Sequence, residues 1–122
     1  MRDTNKNFVG KNYHEVFKYE FIPTFEKESD DFMIRFSSIK NADHLLGKLL
    51  GITNQLGFEP DGTNEVIDEI WIHASSKNGR ITITRDVWDM VFILAENNKI
   101  DLERIERELN GSEDFERIAT EV

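Results

Sequence analysis

The residues best suited to acid–base chemistry are a carboxylate and an imidazole on one predicted strand. Glu69, Trp71 and His73 alternate along an apolar run, and alternate residues of a strand lie on the same face. A carboxylate and an imidazole on one face suit general acid–base catalysis, with Thr82 or Thr84 added from the neighbouring strand. The alternative interpretation is a half-exposed sheet face on which His73 has only a cross-strand partner.

No other set of residues has the spacing of a catalytic, metal or cofactor site. The three histidines are never two to four residues apart, so they form no local pair of metal ligands. The chain has no cysteine for zinc, iron–sulfur or thiolate chemistry. Residues 61–65 have glycine at their second position, where an EF-hand calcium loop needs it at the sixth. A glycine-rich phosphate loop is also absent from the sequence. The sequence therefore predicts no catalytic residues, no metal and no cofactor.

The elements that would position these residues predict an α+β fold. Alternating apolar residues indicate strands over residues 17–21, 32–36, 66–74 and 80–84, and Asn78-Gly79 favours a tight hairpin turn. Apolar residues at helical spacing indicate helices over residues 41–56, 86–96 and 101–109. We expect a frayed N-terminus, residues 1–12, and then one α+β domain, residues 13–122. Its antiparallel sheet is expected to have four to five strands, with about three helices.

Three short segments are less clearly defined. Residues 59–65 are predicted to form an acidic loop, because they include Pro60 and Gly62. Residues 115–122 form either a last strand or a fraying tail. Gly47 and Gly51 lie four residues apart in the first helix. They provide a flat strip for close packing, or they simply weaken the helix.

The chain is strongly acidic, and its acids are grouped. It contains 24 Asp and Glu against 15 Lys and Arg, a formal net charge of −9 on 122 residues. Such a surface repels nucleic acid and anionic membranes, because phosphate binding requires clustered Lys and Arg. It attracts basic proteins and speeds encounter with them, although the same charge also serves solubility alone.

The sequence has no segment expected to direct it out of the cell or into a membrane. The first 15 residues lack the apolar run of a secretory signal. The longest apolar stretch, residues 90–95, is far shorter than the roughly 20 residues that cross a bilayer. With no cysteine available for disulfides, the expected location is the cytoplasm.

The stretch over residues 59–73 is the predicted surface for a basic partner, because it holds five acids and no Lys or Arg. An aromatic side chain among carboxylates suits the capture of a Lys- or Arg-rich protein surface. The predicted partner-binding residues are Glu59, Asp61, Glu65, Asp68, Glu69 and Trp71.

In its size, acidity, lack of cysteine and single α+β pattern, the chain resembles bacterial immunity proteins. Those of contact-dependent growth inhibition and related toxin systems are the most similar. The resemblance implies a cytoplasmic protein that binds one cognate toxin, of nuclease type, and blocks its active site or an adjacent surface. It covers the general character of the chain and assigns no individual residue. An acidic phage inhibitor that mimics nucleic acid has the same general features.

Two functions of other classes remain open. One is a small enzyme or ligand-binding domain that uses the sheet face around His73. The other is a structural homodimer that associates through Trp88 and Phe92, if these side chains are exposed. The protein is accordingly expected to be a monomer or a homodimer that binds neither nucleic acid nor membrane.

Overall fold

The sheet that organises the protein has more strands than the sequence predicts. A computed structural model describes residues 15–24 and 31–119, and the predicted frayed segment, residues 1–12, lies outside these described residues. The elements follow one another as β1 (Phe17–Pro23), β2 (Phe32–Ser37), α1 (Ala42–Gln55), β3 (Glu59–Val66), β4 (Glu69–Ser76), β5 (Gly79–Arg85), β6 (Val91–Leu94), α2 (Lys99–Asn110) and β7 (Phe115–Arg117).

The strands form one mixed sheet in the order β3-β4-β5-β6-β2-β1-β7. Neighbouring strands are antiparallel, except that β7 is parallel to β1. The prediction of an antiparallel sheet with four to five strands and about three helices is therefore wrong. The described residues contain seven strands and two helices.

The predicted second helix, residues 86–96, is a loop followed by the strand β6. Residues 91–94 are all apolar, and a run this short fits a buried strand as well as a buried helix. β6 pairs with β5 on one side and with β2 on the other, so it lies in the middle of the sheet. Val91 and Ile93 are both fully buried there. Pairing with strands distant in the sequence, rather than the spacing of apolar residues within the segment, decides its structure.

The predicted acidic loop, residues 59–65, is the edge strand β3. All eight of its residues are exposed, so no alternation of apolar side chains marks it in the sequence. Its register with β4 shifts between Pro60 and Thr63, where Gly62 adopts a φ of 101°. A proline, a bulge and charged side chains are common means by which exposed edge strands avoid pairing with other chains.

The remaining predicted boundaries are close to the observed ones. The hairpin between β4 and β5 exists, but Ser76 pairs with Gly79, so the turn residues are 77–78 rather than Asn78-Gly79. Asn41 caps α1 by accepting a hydrogen bond from the His44 backbone N–H. Of the two alternatives for residues 115–122, residues 115–117 form a strand, β7.

Both helices pack against the same face of the sheet. Tyr19, Phe36 and Val91 form one cross-strand row on this face, and Ile34, Ile93 and Ile83 form the next. The helices cover these rows with Leu45 and Leu49 of α1 and with Leu102, Ile105 and Leu109 of α2. The Tyr19 hydroxyl donates a hydrogen bond to Glu106 of α2 at 2.9 Å. Burial, together with this hydrogen bond, raises the pKa of Tyr19, so the phenol stays protonated.

The opposite face of the sheet carries no helix among the described residues. One row across it runs through His73, Thr82, Leu94, Met33 and Ile22. The neighbouring row runs through Trp71, Thr84, Phe92, Arg35 and Glu20. This helix-free face therefore combines apolar side chains with the polar residues for which the sequence predicted chemistry.

A buried carboxylate fixes the hairpin β4–β5 against the helices. The Asp101 side chain is fully buried and accepts hydrogen bonds from Ser76 (2.5 Å), Asn78 (3.0 Å), Asn98 (2.9 Å) and Arg104 (2.7 Å). Arg104 also donates to the Leu56 carbonyl at the end of α1 at 2.8 Å. Burial alone would raise the pKa of Asp101, but the four hydrogen bonds outweigh it and hold this pKa below its usual value of 3.8.

Asp101→Asn is expected to lower the free energy of unfolding at pH 7 by about 3 kcal/mol, because the partly buried Arg104 and three polar donors lose a charged acceptor. The depressed pKa means that ionised Asp101 stabilises the fold fully above about pH 4 and that this contribution is lost as the pH falls through the folded-state pKa. Urea unfolding from pH 7 to pH 3 measures both effects. Between pH 7 and pH 3 the free energy of unfolding should fall less in the variant than in the wild type.

The matched control for this measurement is Glu103→Gln, which removes an exposed carboxylate from the same helix. Its effect should stay within about 0.5 kcal/mol. An Asp101→Asn variant as stable as this control would show that the buried network contributes nothing to stability.

The two glycines of α1 make no close packing contact. Apart from the backbone of α1 itself, a Cβ atom built at Gly47 or Gly51 would have no heavy atom of the described residues within 4 Å, so the flat-strip interpretation is wrong and the glycines weaken the helix. Gly47→Ala and Gly51→Ala should each raise the free energy of unfolding by about 0.5 to 1 kcal/mol. Gly79→Ala should lower it, because Gly79 has a φ of 138° and its Cβ would lie 3.3 Å from Asn98. Destabilisation by either helix substitution would contradict this account of α1.

Candidate functional site

The structure separates the six predicted partner-binding residues into three places. Glu65, Asp68 and Glu69 gather where β3 turns into β4. Glu59 and Asp61 lie near the start of β3, toward the opposite end of that strand. Trp71 is half-buried on the helix-free face, opposite Thr84 of β5 and Asn64 of β3. The predicted binding residues therefore do not form one continuous surface. Three of them cluster at the β3–β4 turn, and the other three lie elsewhere on β3 and β4.

Most of these carboxylates take part in no hydrogen bond or ion pair with another described residue. Asp61 lies 3.4 Å from Arg80, and both side chains are about half exposed, so this ion pair contributes little to stability. Among the described residues, the side chains of Glu59, Glu65, Asp68 and Glu69 form no hydrogen bond or ion pair. Carboxylates without an internal partner are available to bind another molecule.

The turn between β3 and β4 also exposes apolar side chains that sequence reasoning missed. Ile67, at the turn itself, is 88% exposed, and Val66 before it is 57% exposed. The connection from β5 to β6 exposes Trp88 (77%) and Val87 (46%). That the two connections are neighbours is not visible in the sequence, because the helix predicted over residues 86–96 would place Val87 and Trp88 toward the core. Only the homodimer alternative requires an exposed Trp88.

Asp86 holds the connection from β5 to β6 in a fixed shape. Its carboxylate accepts hydrogen bonds from the backbone N–H groups of Trp88 (2.9 Å) and Met90 (3.0 Å). Two backbone hydrogen bonds, from Asp86 to the Met90 carbonyl and from Asp89 to the Asp86 carbonyl, close the loop. Asp86 thus stabilises a tight loop at the position where the predicted helix, residues 86–96, would begin.

A cavity of about 710 Å³ lies on the helix-free face around His73. Met33 and Leu94 are apolar parts of its lining, with Trp71, His73 and Thr82 beside them. The Asn64 amide nitrogen lies 3.3 Å from His73 Nε2, and Thr82 Oγ1 lies 2.9 Å from Nδ1. Both ring nitrogens of His73 therefore already have hydrogen-bond partners within the sheet.

The predicted acid–base pair does not form. Glu69 and His73 share a face, but four residues along a strand span roughly 13 Å. This separation excludes a direct hydrogen bond. The cross-strand partner that the alternative interpretation expected for His73 is present as Thr82.

A second cavity, of about 810 Å³, lies between the end of α1, the β4–β5 turn and the start of α2. Its polar lining includes Ser76, Asn78 and Arg104. These three side chains donate to Asp101, so their polar groups already serve the fold.

Neither a metal cluster, nor a membrane-spanning helix, nor a related protein indicates the function of this chain. In the described part of the chain, no three His, Asp or Glu side chains are grouped so that they would hold a metal ion. Neither α1 nor α2 has the length and apolar character needed to cross a membrane. Comparison of the chain with family models, curated proteins and solved structures finds no match. Any assignment of function must therefore rest on the residues of this chain.

Proposed function

We propose that the protein is an acidic binding protein that neutralises a basic partner, and that this partner is a cognate toxin of nuclease type in the cytoplasm. The observation that carries the proposal is the cluster of Glu65, Asp68 and Glu69 at the β3–β4 turn, whose carboxylates have no partner within residues 15–24 and 31–119. Nucleases expose Lys and Arg to bind phosphate, and unpaired carboxylates are complementary to such a surface.

Electrostatic attraction acts first on the rate of encounter. Complementary charges raise association rates by about 10- to 1,000-fold at low ionic strength, and salt screens the effect. An inhibitor of a toxin benefits directly from rapid capture. Changes to this acidic turn are therefore expected to alter the association rate constant more than the dissociation rate constant.

Asp68→Lys combined with Glu69→Lys should slow association with the partner at least tenfold at low salt and flatten its dependence on ionic strength. The partner is the basic protein that the tagged wild type retains from source-cell lysate at low ionic strength, identified by mass spectrometry and then purified. Stopped-flow mixing at several salt concentrations measures the rates.

The control variant is Glu103→Lys combined with Glu108→Lys, which produces the same net charge by changing exposed residues of α2. It should change association much less than the variant at the turn. Equal slowing by both variants would mean that net charge alone acts. Rates that depend on neither salt nor these residues would remove the proposal.

A second candidate function is supported by the cavity around His73. This function is that of a small enzyme or ligand-binding domain, with Trp71 and Thr82 beside the imidazole. The occupied ring nitrogens of His73 and its distance from Glu69 make it the weaker candidate. Turnover or small-molecule binding that His73→Ala abolishes would establish this function in place of the first.

A further inference from the structure

We infer that the protein docks its partner through two neighbouring strand connections, with Trp88 and Ile67 as apolar anchors inside a group of carboxylates. The strand-tip surface is defined as residues 65–69 and 86–89. This inference rests on the proposed function and names its contact surface. It also specifies the partner: a protein with an apolar pocket whose rim carries Lys and Arg.

The two connections lie side by side at one end of the sheet. Ile70, just after the first connection, pairs with Arg85, just before the second. Neighbouring strands lie about 4.8 Å apart, so the segments that extend beyond this pair are adjacent. Ile67 and Trp88 therefore project from the same end of the molecule although they are 21 residues apart in sequence.

Exposed apolar side chains are concentrated on this surface. The described residues include seven large hydrophobic side chains that are exposed, and four of them are Val66, Ile67, Val87 and Trp88. Single exposed hydrophobic residues are ordinary, whereas a contiguous group of them marks an interaction surface. Trp88 is the most informative member, because tryptophan is among the residues that contribute most to protein–protein binding.

The loop that presents Trp88 is preorganised. Asp86 holds the backbone N–H of Trp88 and that of Met90 in place, so the backbone that carries the indole is fixed before any partner arrives. Binding through a fixed backbone loses little conformational entropy, which strengthens association for a given contact area. A flexible exposed tryptophan would not have this advantage.

The charges around the anchors favour a basic partner over a second copy of this chain. Carboxylates on these two segments belong to Glu65, Asp68, Glu69, Asp86 and Asp89. Arg85, at their edge, is only 23% exposed and lies 2.8 Å from Asp43 and 3.9 Å from Asp89. A twofold dimer through this surface would bring like charges together, and that is unfavourable. The homodimer through Trp88 and Phe92 is disfavoured for this reason, and Phe92 is only partly exposed.

Trp88→Ala should weaken binding of the purified partner at least about 30-fold, mainly through faster dissociation. Trp88→Phe should retain part of the affinity. The control is Ile100→Ala, which truncates a side chain that is 60% exposed at the start of α2, away from the strand tips. Calorimetry and surface plasmon resonance measure the affinities and rates, and circular dichroism checks that each variant is folded.

Labelling with 5-fluorotryptophan gives a second, independent readout, because the chain has only Trp71 and Trp88. Partner binding should shift the ¹⁹F signal of Trp88 and leave that of Trp71 nearly unchanged. Light scattering of the free protein should give a monomer mass.

The outcomes separate this inference from the proposed function. A basic partner that binds Trp88→Ala as tightly as wild type, or that shifts only the Trp71 signal, overturns the strand-tip surface and leaves the proposed function standing. A dimer that Trp88→Ala dissociates would replace the basic partner with a second copy. Failure to retain any basic protein would contradict both proposals.

Discussion

The buried carboxylate of Asp101 is the interaction on which the arrangement of this protein depends most. It is the acceptor for donors from the β4–β5 hairpin end, the N-terminal cap of α2 and the second turn of α2. Through Arg104 the same network reaches the end of α1. A buried charge is tolerated only where hydrogen bonds replace its lost hydration, and here four donors do so. This requirement fixes the hairpin of β4 and β5 relative to both helices.

That constraint lies at the opposite end of β4 from the strand tips. β4 runs from Glu69 to Ser76, so the turn held by Asp101 and the turn that exposes Ile67 are separated by the whole strand, roughly 25 Å. The network that stabilises the fold and the surface proposed for binding thus lie at different ends of the same hairpin. At the end that carries the exposed side chains, Arg85 pairs with Asp43 of α1 at 2.8 Å, so α1 also reaches the strand tips.

Sequence reasoning succeeded where local patterns and packing agree. The alternation of apolar residues in β1 and β2 and their helical spacing in α1 predicted the observed elements. It failed at β3, which is wholly exposed and is held by backbone pairing with β4 and by exposed side-chain contacts such as that of Asn64 with His73. It failed also at β6, where four consecutive apolar residues fit the spacing of a buried strand and that of a buried helix equally well. Both strands are defined by distant partners, which no local pattern encodes.

At the candidate site, too, the features that depend on distant residues could not be predicted from local sequence patterns. The acidity at Glu65, Asp68 and Glu69 could be predicted because charge is visible in sequence. The choice of Trp71 as the aromatic anchor could not be checked without the sheet register, which places it in a half-buried row. Trp88 lies exposed in the loop before β6, whereas the helix predicted over residues 86–96 would have placed it beside a buried stripe.

Hydrogen–deuterium exchange of the protein bound to its basic partner tests the central claim most directly. The account predicts slower exchange in residues 65–69 and 86–90 on binding, with α2 and the sheet face around His73 unchanged. Protection confined to the cavity lined by Trp71, His73 and Thr82, or to α2, would contradict it.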